Sequence, residues 1–395
     1  MKKGWQTKTL GEVLEKTETV NPLQSPKTEF DYIDVSSVSN TTFQIEETQR
    51  LKGKDAPSRA RKVVRTNDII FATIRPTLQR IAVVPEHLDK QVCSTGYFVL
   101  RPKPGIDHRF VFYSLFTENF IGQMESLQKG ASYPAVTDGD VRAQEIPVPP
   151  LAEQQRIVGL LDEAFEGLAT AKANAEKNLQ NARALFESHL QSVFTQRGPG
   201  WVDRSLVSLS AHFFDSAHRT PKYQEEGIPA LRPRDVVNGQ LNFADAACVS
   251  EEEFEVQSKR YKPAPGDIVY SRELSYGWAA LLPEEPRVCL SQGMCVFRPN
   301  REVNSAFLLY VLNGPAGREQ ATRVAVGAAH PHINLGDIKS YSIPLPSFDE
   351  QKQIAHKFDA LATETQRLAR LYERKHAALE ALKKSLLHQA FNGEL

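Results

Sequence analysis

IPVPPLAEQQRI at residues 146–157 returns as IPLPSFDEQKQI at residues 343–354. The offset of 197 residues continues without a gap, and ten of the 42 positions from 153 to 194 are identical in the second copy. An ungapped match of this length indicates an internal duplication, which has to be recognised before any other feature because it determines the whole architecture.

Upstream of these stretches the two halves match more loosely. Residues 68–71 correspond to 267–270 at an offset of 199, and residues 99–102 correspond to 296–299 at an offset of 197. The drifting offset indicates short insertions and deletions, which belong in loops. We therefore predict an A-B-A′-B′ architecture with the following boundaries: 1–150, 151–197, 198–346 and 347–395.

Each B segment is predicted to be one long helix of ~60 Å, at 1.5 Å per residue. Prolines stand just before both segments, and proline is tolerated only up to the first turn of a helix. Gly198-Pro199-Gly200 and Asn392-Gly393 are typical of helix ends. Apolar residues recur at steps of three or four, as in a coiled coil, and we assign these to the spacer stripe: Ile157, Leu161, Leu185, Phe194, Ile354, Phe358, Leu382 and Phe391.

A single helix of this length cannot bury its apolar stripe alone, and the second copy is the obvious partner. The first stripe is rich in alanine and the second in leucine, which suits small residues packed against large ones. The alternative is that each helix packs only on its own A segment.

The A segments are predicted to be mixed α/β domains, which makes the fold class α+β. In the first copy, short β-rich runs bounded by turn residues stand at 31–35, 68–72, 80–84 and 96–100. Helical spacing follows at 110–116, and residues 306–312 take the same place in the second copy.

The composition is that of an ordinary soluble globular protein of two or three domains. The chain has 395 residues, 41% hydrophobic and 24% charged, with 48 basic and 48 acidic side chains. No apolar run is long enough for a membrane span, and none follows the N-terminal lysines as a secretion signal requires. Cys93, Cys248, Cys289 and Cys295 form no CxxC pair, so we expect buried reduced thiols in a cytoplasmic protein.

The sequence gives no support to an enzyme. It has no P-loop, no GxGxxG that opens a helix, and no HExxH or GxSxG motif. His330-Pro331-His332 lies in a predicted loop, and two histidines without a third ligand are weak evidence for a metal. We therefore expect no catalytic residue, no cofactor site and no metal site in this chain.

A net charge of zero argues against nucleic acid as a partner, but the total conceals the distribution. The four predicted segments carry +2, −1, −2 and +1, so none is strongly basic. Six basic residues nevertheless fall between positions 52 and 65 with one acid, and such a run neutralises phosphates: Lys52, Lys54, Arg59, Arg61, Lys62 and Arg65. A solvated charged loop is the alternative interpretation.

Two small-residue loops occupy equivalent places just before strands predicted at Asp140-Val141 and Asp337-Ile338. Small residues let a backbone approach a ligand closely, and Tyr or His reaches base edges; an ordinary tight loop is the alternative. Together with basic residues near the predicted strands and in the second copy, the candidate DNA-binding residues beyond the first cluster are Arg75, Arg80, Lys129, Tyr133, Arg219, Lys222, Arg232, Arg234, Lys259, Arg260, Arg272, Tyr276, Arg323, His330 and His332.

With the opening Trp5…Leu10-Gly11-Glu12-Val13 and the strand at 266–272, the duplicated Pro-x-Pro…Glu-Gln-x-x-Ile resembles the specificity subunit of type I restriction–modification systems. The resemblance covers essentially the whole chain. It departs from the family pattern at Asn67-Asp68, where the family favours Gly-Asp, and at Asp349 before the second Glu-Gln.

The resemblance implies two target-recognition domains, each of which reads one half of a split double-stranded DNA site, with an antiparallel coiled coil as the ruler between them. It also implies two methyltransferase subunits that bring S-adenosylmethionine and methylate adenine, and restriction (motor-nuclease) subunits that use ATP and Mg. The chain itself would be non-catalytic and would bind DNA weakly until it is assembled.

Two other hypotheses remain. One is a coiled-coil scaffold whose two heads bind proteins without touching DNA. The other, an autonomous nuclease or methyltransferase, is disfavoured by the missing motifs. Salt-dependent DNA binding distinguishes a DNA-specificity subunit from the protein-binding scaffold.

Overall fold

The computed structural model describes residues 4–395, and the chain forms two compact units. Unit 1 contains the chain up to Ala175 together with Glu373–Leu395, and unit 2 is Glu176–Tyr372. Each unit therefore combines one A domain with segments of both long helices. The four segments predicted above follow chain order, whereas the units divide each long helix near its middle.

The elements of the first half, in chain order, are β1 (Gln6–Thr9), α1 (Leu10–Val13), β2 (Glu29–Ile33), β3 (Gln49–Lys52), β4 (Ala60–Val63), β5 (Ile69–Ala72), β6 (Ile81–Val83), β7 (Val92–Ser94), β8 (Tyr97–Leu100), α2 (His108–Ser114), α3 (Glu118–Leu127), α4 (Asp138–Arg142), β9 (Glu145–Val148) and α5 (Leu151–Gln196).

The elements of the second half are β10 (Val202–Ser205), β11 (Ser210–Asp215), β12 (Tyr223–Gln224), β13 (Ile228–Leu231), β14 (Val236–Val237), β15 (Gln240–Leu241), β16 (Cys248–Val249), α6 (Glu251–Gln257), β17 (Ile268–Ser271), β18 (Ala279–Leu281), β19 (Cys289–Leu290), β20 (Met294–Pro299), α7 (Ser305–Asn313), α8 (Pro315–Val324), α9 (Leu335–Lys339), β21 (Ser342–Leu345) and α10 (Phe348–Asn392).

Two small sheets form the core of unit 1, in the strand orders β3-β2-β7-β4 and β6-β5-β8. Strand β5 is buried on both faces and pairs antiparallel with β8, with Ile69 opposite Leu100. Each of the four predicted strand runs overlaps an observed strand, and the predicted helical segment overlaps α2. A separate pair, β1 with β9, joins the start of the chain to the strand that leads into α5.

Unit 2 repeats this plan. Sheet β11-β20-β17-β18 carries the equivalent central strand β17, and residues of the second sheet, β12-β16-β13-β19, share an apolar cluster with it. Strand β10 pairs with β21 as β1 does with β9. The A domains therefore share a scaffold, although their sequences match only loosely.

The strands predicted at Asp140-Val141 and Asp337-Ile338 are wrong, because both pairs lie in the short helices α4 and α9. Thr137 and Asp140 form a reciprocal capping box that starts α4: the Thr137 N–H donates to Asp140 Oδ2 at 2.7 Å and the Asp140 N–H donates to Thr137 Oγ1 at 3.1 Å. An apolar residue beside an aspartate gave no periodicity from which to recognise so short a helix.

The glutamine of each Glu-Gln pair anchors the start of a long helix. Gln154 is 1% exposed; its Oε1 accepts the Asp107 N–H at 2.8 Å, and its Nε2 donates to the Pro149 carbonyl at 2.8 Å. Gln351 makes the same bonds to Asn304 N–H and to the Pro346 carbonyl, at 2.8 and 3.0 Å. Because Asp107 and Asn304 cap α2 and α7, the motif joins each long helix to the preceding domain.

In unit 1 the segments of α5 and α10 pack antiparallel. Ile157 and Leu161 share a cluster with Phe391, while further along α5 Lys172 pairs with Glu380 at 3.3 Å, so residue numbers rise on one helix as they fall on the other. The end of α10 also packs on the first A domain, because Phe391 lies 4.8 Å from Phe110.

Unit 2 shows the same arrangement with the helices exchanged. Phe186 of α5 contacts Phe358 of α10, and Trp201, just beyond α5, donates to Glu350 Oε1 near the start of α10 at 3.0 Å. Phe194 packs on Phe307 of the second A domain. Each helix therefore packs both on the other helix and on an A domain, so the two alternatives for helix packing coexist.

Two residues assigned to the apolar stripe lie outside it. Leu185 is 69% exposed and Leu382 is 48% exposed, whereas the other six stripe residues are buried or half-buried. The prediction of their burial is wrong because a 3–4 spacing is satisfied by more than one face of a long helix.

All four cysteines are free, with Cys93, Cys289 and Cys295 buried and Cys248 half-buried. Burial raises the pKa of the Cys93 and Cys289 thiols to about 12. These two thiols are therefore protonated and unreactive near neutral pH. In the described part of the chain no helix has the length and hydropathy needed to cross a membrane.

Candidate nucleic-acid interface

In unit 1 the loop after β5 lies against a tight hairpin at residues 129–135. Ile74 bridges to Ala135, and the Arg75 N–H donates to the Pro134 carbonyl at 2.6 Å. The hairpin is closed by the bridge between Lys129 and Ala135, and its turn begins at Gly130, which has a φ of 102°. We call the loop at residues 73–80 and the hairpin at residues 129–135 loop pair 1.

Unit 2 builds the same structure at residues 272–278 and 326–332, which we call loop pair 2. Glu273 bridges to His332, the Leu274 N–H donates to the Pro331 carbonyl at 2.8 Å, and Val326 bridges to His332. Gly327, with a φ of 92°, starts the turn. The backbone contacts that join the loop to the hairpin in loop pair 1 therefore have equivalents in loop pair 2.

Arg75 and Leu274 occupy equivalent positions and share an unusual backbone conformation. Their φ angles are 49° and 56°, in the left-handed region. A residue other than glycine costs roughly 1 kcal/mol there, and strain of this kind concentrates at functional sites. Both units therefore place a full side chain where glycine fits the backbone better.

The side chains exposed by the two loop pairs differ. Loop pair 1 presents Tyr133, 71% exposed, with the Arg75 guanidinium 5.0 Å from the centre of its ring. Loop pair 2 has His330 at the place of Tyr133 and presents two apolar residues, Leu274 at 61% and Val326 at 45% exposure. A cation stacked on a ring is suited to phosphates and bases, whereas exposed apolar side chains are suited to base methyl groups.

The first basic cluster divides into free and bound side chains. Lys52, Lys54 and Arg59 are exposed. Lys62 instead donates to Asp138 at 2.7 Å and to the Tyr97 carbonyl at 2.6 Å, which ties β4 to the residues just beyond the hairpin of loop pair 1. Arg61 is half-buried and donates to the Ala60 carbonyl.

Two further predicted residues of unit 1 differ in the same way. Lys129, at the base of the hairpin, is exposed. Arg80 is half-buried and donates to the carbonyl oxygen of Val38 at 2.6 Å, so it holds the segment after β2 in place. Arg80 and Lys62 support loop pair 1 and its surroundings rather than offering free charge.

In unit 2 several predicted arginines are also engaged in ion pairs. Arg272 is 11% exposed, pairs with Asp215 and donates to the Ile333 carbonyl at 3.1 Å. Arg232 pairs with Asp235 at 2.8 Å, and Arg219 pairs with Glu253. The pair formed by Arg272 fixes the base of loop pair 2.

The other predicted residues of unit 2 are mainly on the surface. Tyr276 and His332 are half-buried, the latter within loop pair 2, whereas these six are exposed: Lys222, Arg234, Lys259, Arg260, Arg323 and His330. The structure brings His330 and His332 together with Arg272. It gives no contact that joins Lys222 or Arg234 to loop pair 2.

Leu274 and Val326 were missed by the sequence analysis, which searched for charge and rings. The signal that could have found Leu274 was its alignment with Arg75 at the offset of 199. Exposure of an apolar residue, however, depends on the fold and cannot be read from local pattern.

An Arg–Asp ion pair lies at the start of the strand that leads into each loop pair, and it is buried in unit 1 but partly exposed in unit 2. In unit 1 Arg101 makes two bonds to Asp68, at 2.9 and 2.8 Å, and a third to Glu18. In unit 2 Arg298 bonds to Asp267 at 2.6 Å. Burial nevertheless raises the pKa of Asp68, because desolvation of its carboxylate outweighs the attraction of the arginine.

Neither loop pair is arranged as a metal centre. Across residues 4–395 no group of three or more His, Cys, Asp or Glu side chains is placed to hold a metal ion. His332 Nδ1 lies 3.3 Å from the His330 carbonyl, which gives the two histidines a local contact.

Comparison with known proteins places this geometry in a family. The family model for the type I restriction modification DNA specificity domain matches residues 2–179 and 215–373. The EcoBI specificity subunit of Escherichia coli is 22% identical over 277 residues, which cover 63% of this chain and 58% of that subunit's length. The MjaVIII specificity subunit of Methanocaldococcus jannaschii is 23% identical over 328 residues, with coverages of 78% and 75%.

Solved structures agree over the whole chain. A chain from a structural study of complex assembly and conformational transition in the type I restriction–modification system has a TM-score of 0.87 at 29% identity, covering 100% of this chain and 99% of that one. The crystal structure of the HsdS subunit from Thermoanaerobacter tengcongensis has a TM-score of 0.70 at 29% identity, with coverages of 100% and 98%. With both halves of the duplication matched, this chain belongs to the type I restriction–modification DNA specificity family.

Proposed function

We propose that the chain reads a bipartite, asymmetric site on double-stranded DNA, with one loop pair for each half-site. The observation that carries the proposal is the repeated pair of loops: one backbone scaffold, built twice, with different exposed side chains. A repeated scaffold suits two segments of the same kind of ligand. Different side chains on it suit two different sequences.

We further propose that two adenine-methyltransferase subunits dock on the chain, and restriction subunits through them. Residues that are identical in the two long helices and lie on the surface support this docking. Leu185 and Ser188 of α5 are exposed, and so are their identical counterparts Leu382 and Ser385 of α10. Packing within either unit does not explain these identities, whereas a partner bound once to each copy would.

Two equivalent clefts also support a partner that binds twice. In unit 1 a cleft of about 200 Å³ lies beside Phe391 and Pro147. In unit 2 a cleft of about 240 Å³ lies beside Phe194 and Pro344, the residues at the matching positions. The partner would meet a phenylalanine and a proline at matching positions in both places.

In this proposal the chain is a non-catalytic subunit without a cofactor of its own. S-adenosylmethionine, ATP and Mg would be bound by the methyltransferase and restriction subunits. The complex would act in the cytoplasm, where free thiols such as the buried cysteines of this chain remain reduced.

The two long helices would set the separation of the half-sites. Helix α5 has 46 residues and α10 has 45, which at 1.5 Å per residue gives each a length of ~70 Å. One turn of B-DNA is ~34 Å. Helices of this length are sufficient to hold two reading heads more than one turn apart.

The first experiment assembles the full chain with the methyltransferase of its host system and measures binding to random-sequence duplex at increasing salt. We expect tight, salt-dependent binding by the assembly and weak binding by the isolated chain, because exposed positive charge is sparse. Methylated adenines are then mapped, and a two-part asymmetric motif is expected. Assembly without salt-dependent binding would favour the protein-binding scaffold instead.

The second experiment tests the spacing. One heptad is deleted from α5 near Ala175 and one from α10 near Tyr372, where the units divide, so that the packed helix ends stay intact. Each helix becomes ~10 Å shorter, and we expect the gap between half-sites to shrink by about three base pairs. Insertion of one heptad at each place is the matched control and should widen the gap equally. An unchanged methylation motif in both variants excludes the spacing role.

A further inference from the structure

The equivalent positions Arg75 and Leu274 share a backbone conformation but differ in the chemistry of their side chains. Both residues are left-handed, and both donate their N–H to the proline carbonyl of the adjoining hairpin. One side chain is a cation and the other is aliphatic. Since the backbone is the same, the difference in what these positions contact comes from the side chains alone.

Nothing inside unit 2 uses the Leu274 side chain. It is 61% exposed and belongs to none of the apolar clusters that form the cores of the described structure. The adjoining hairpin also exposes apolar residues, namely Val326 and the two alanines that follow Gly327, together with His330. Backbone strain of this kind concentrates at functional sites, and at Leu274 it coincides with an exposed apolar side chain.

The ligand chemistry follows from the position of Leu274 in a chain that recognises DNA. Leu274 carries no donor or acceptor, so it cannot bond to a phosphate or to the polar edge of a base. The apolar group that B-DNA presents in its major groove is the C5-methyl of thymine. Arg75, stacked on Tyr133, has the opposite capacity and binds phosphate or guanine.

We propose that Leu274 is a specificity-determining residue that reads a thymine methyl group in the half-site of unit 2, while the equivalent Arg75 reads the half-site of unit 1 through charge. The inference rests on the proposed DNA-reading function. It adds a required base, a T·A pair in the half-site of unit 2, and a difference in salt dependence between the two half-sites.

The test uses the full chain assembled with its methyltransferase subunits, on duplexes in which each thymine of the mapped half-sites is replaced in turn by deoxyuridine, which lacks only the methyl group. We expect one replacement in the half-site of unit 2 to weaken binding about fourfold, as for one buried methyl group. Leu274→Ala should weaken binding to thymine-containing DNA and abolish the effect of that replacement.

Leu281→Ala is the matched control, because Leu281 is also an exposed leucine of unit 2 but lies on β18. It should leave affinity and the deoxyuridine effect unchanged. In unit 1, Arg75→Ala should lower the slope of log affinity against log salt by about one and leave every deoxyuridine effect as it was. Thermal unfolding of each variant should be close to that of the unchanged chain, since Leu274 and Leu281 are exposed and Arg75 makes only surface contacts, with Tyr133 and the Ser132 carbonyl.

The outcomes separate the two proposals. An assembly that binds no DNA in a salt-dependent way overturns the proposed function. An assembly that binds and methylates DNA, but in which Leu274→Ala behaves like Leu281→Ala or no thymine methyl contributes, overturns this inference and leaves the proposed function standing.

Discussion

Loop pair 1 and loop pair 2 share a backbone and differ in surface. Both are held by the same bridges and the same N–H bond to a proline carbonyl, yet one exposes Arg75 and Tyr133 and the other exposes Leu274 and Val326. The difference shows that after duplication the supporting contacts were kept while the exposed positions diverged. Such a division is expected where the supporting contacts keep the loops in place and the exposed side chains distinguish one ligand from another.

The comparison extends to the Arg–Asp pair at the start of the central strand of each unit, where the two copies make the same kind of pair but differ in burial. Arg101 is 9% exposed and satisfies two acids, whereas Arg298 is 37% exposed and its partner Asp267 also accepts a bond from the Tyr261 hydroxyl at 2.8 Å. The stability of unit 1 should therefore depend more on Arg101 than the stability of unit 2 depends on Arg298.

The largest expected effect comes from removing these arginines. Arg101→Met should lower the free energy of unfolding by about 3 kcal/mol, because it leaves a buried carboxylate without its cation. Arg298→Met should cost roughly half as much, since Tyr261 still bonds Asp267. Chemical denaturation of both variants measures the difference, and equal losses would contradict the inequality of the two units.

The pH dependence of the same variant follows from Asp68. The pKa of Asp68 is raised in the folded state. Ionisation of Asp68 therefore lowers the free energy of unfolding at any pH above the folded pKa. This loss disappears below the pKa of the unfolded chain, ~3.9, where the carboxyl is protonated in both states. The deficit of Arg101→Met should therefore shrink as the pH falls through the raised pKa of Asp68 towards the unfolded value. Adding Asp68→Asn should remove this pH dependence, and a deficit constant with pH would argue against a buried carboxylate.

A smaller effect, equal in both units, is expected at the helix anchors. Gln154→Leu and Gln351→Leu each strand a buried N–H and a buried carbonyl, and should each cost about 2 kcal/mol of unfolding free energy. The neighbouring exposed residues provide controls, because Gln155→Leu and Gln353→Leu should change stability by less than about 0.5 kcal/mol. Chemical denaturation measures both losses. Unequal losses for Gln154→Leu and Gln351→Leu would show that the duplicated motif is not equivalent in the two halves.

The smallest effect concerns the departure from the family pattern at Asn67. Asn67 and Gly266 are both left-handed, with φ of 68° and 85°, and asparagine tolerates this region better than most residues. Gly266→Ala should lower the free energy of unfolding by about 1 kcal/mol. The added Cβ would contact no atom, so the whole loss comes from the left-handed backbone. Gly159→Ala, in the interior of α5, should instead stabilise by about 1 kcal/mol. Thermal melting of the two variants should therefore shift in opposite directions.

Much of the fold could be predicted because its signals are local or repeated. The prolines before 151 and the glycines after 197 bounded α5, and the strand runs at 68–72 and 96–100 were found from β-rich composition. The candidate DNA-binding residues stay a prediction, but the contacts that some of them make inside the chain could not be foreseen. Lys62 bonds to Asp138, 76 residues away, and Arg272 to Asp215, 57 residues away. Partners so distant leave no trace in a local pattern.

By itself the sequence determined the duplication, the two long helices and the membership that the duplicated Glu-Gln motif indicates, because repetition and helical periodicity are properties of the chain order. Only the tertiary structure decided which charges are free, that each unit combines an A domain with segments of both helices, and that Leu274 faces solvent opposite a hairpin. Burial and pairing are set by contacts between residues far apart in the chain, and those contacts exist only once the chain has folded.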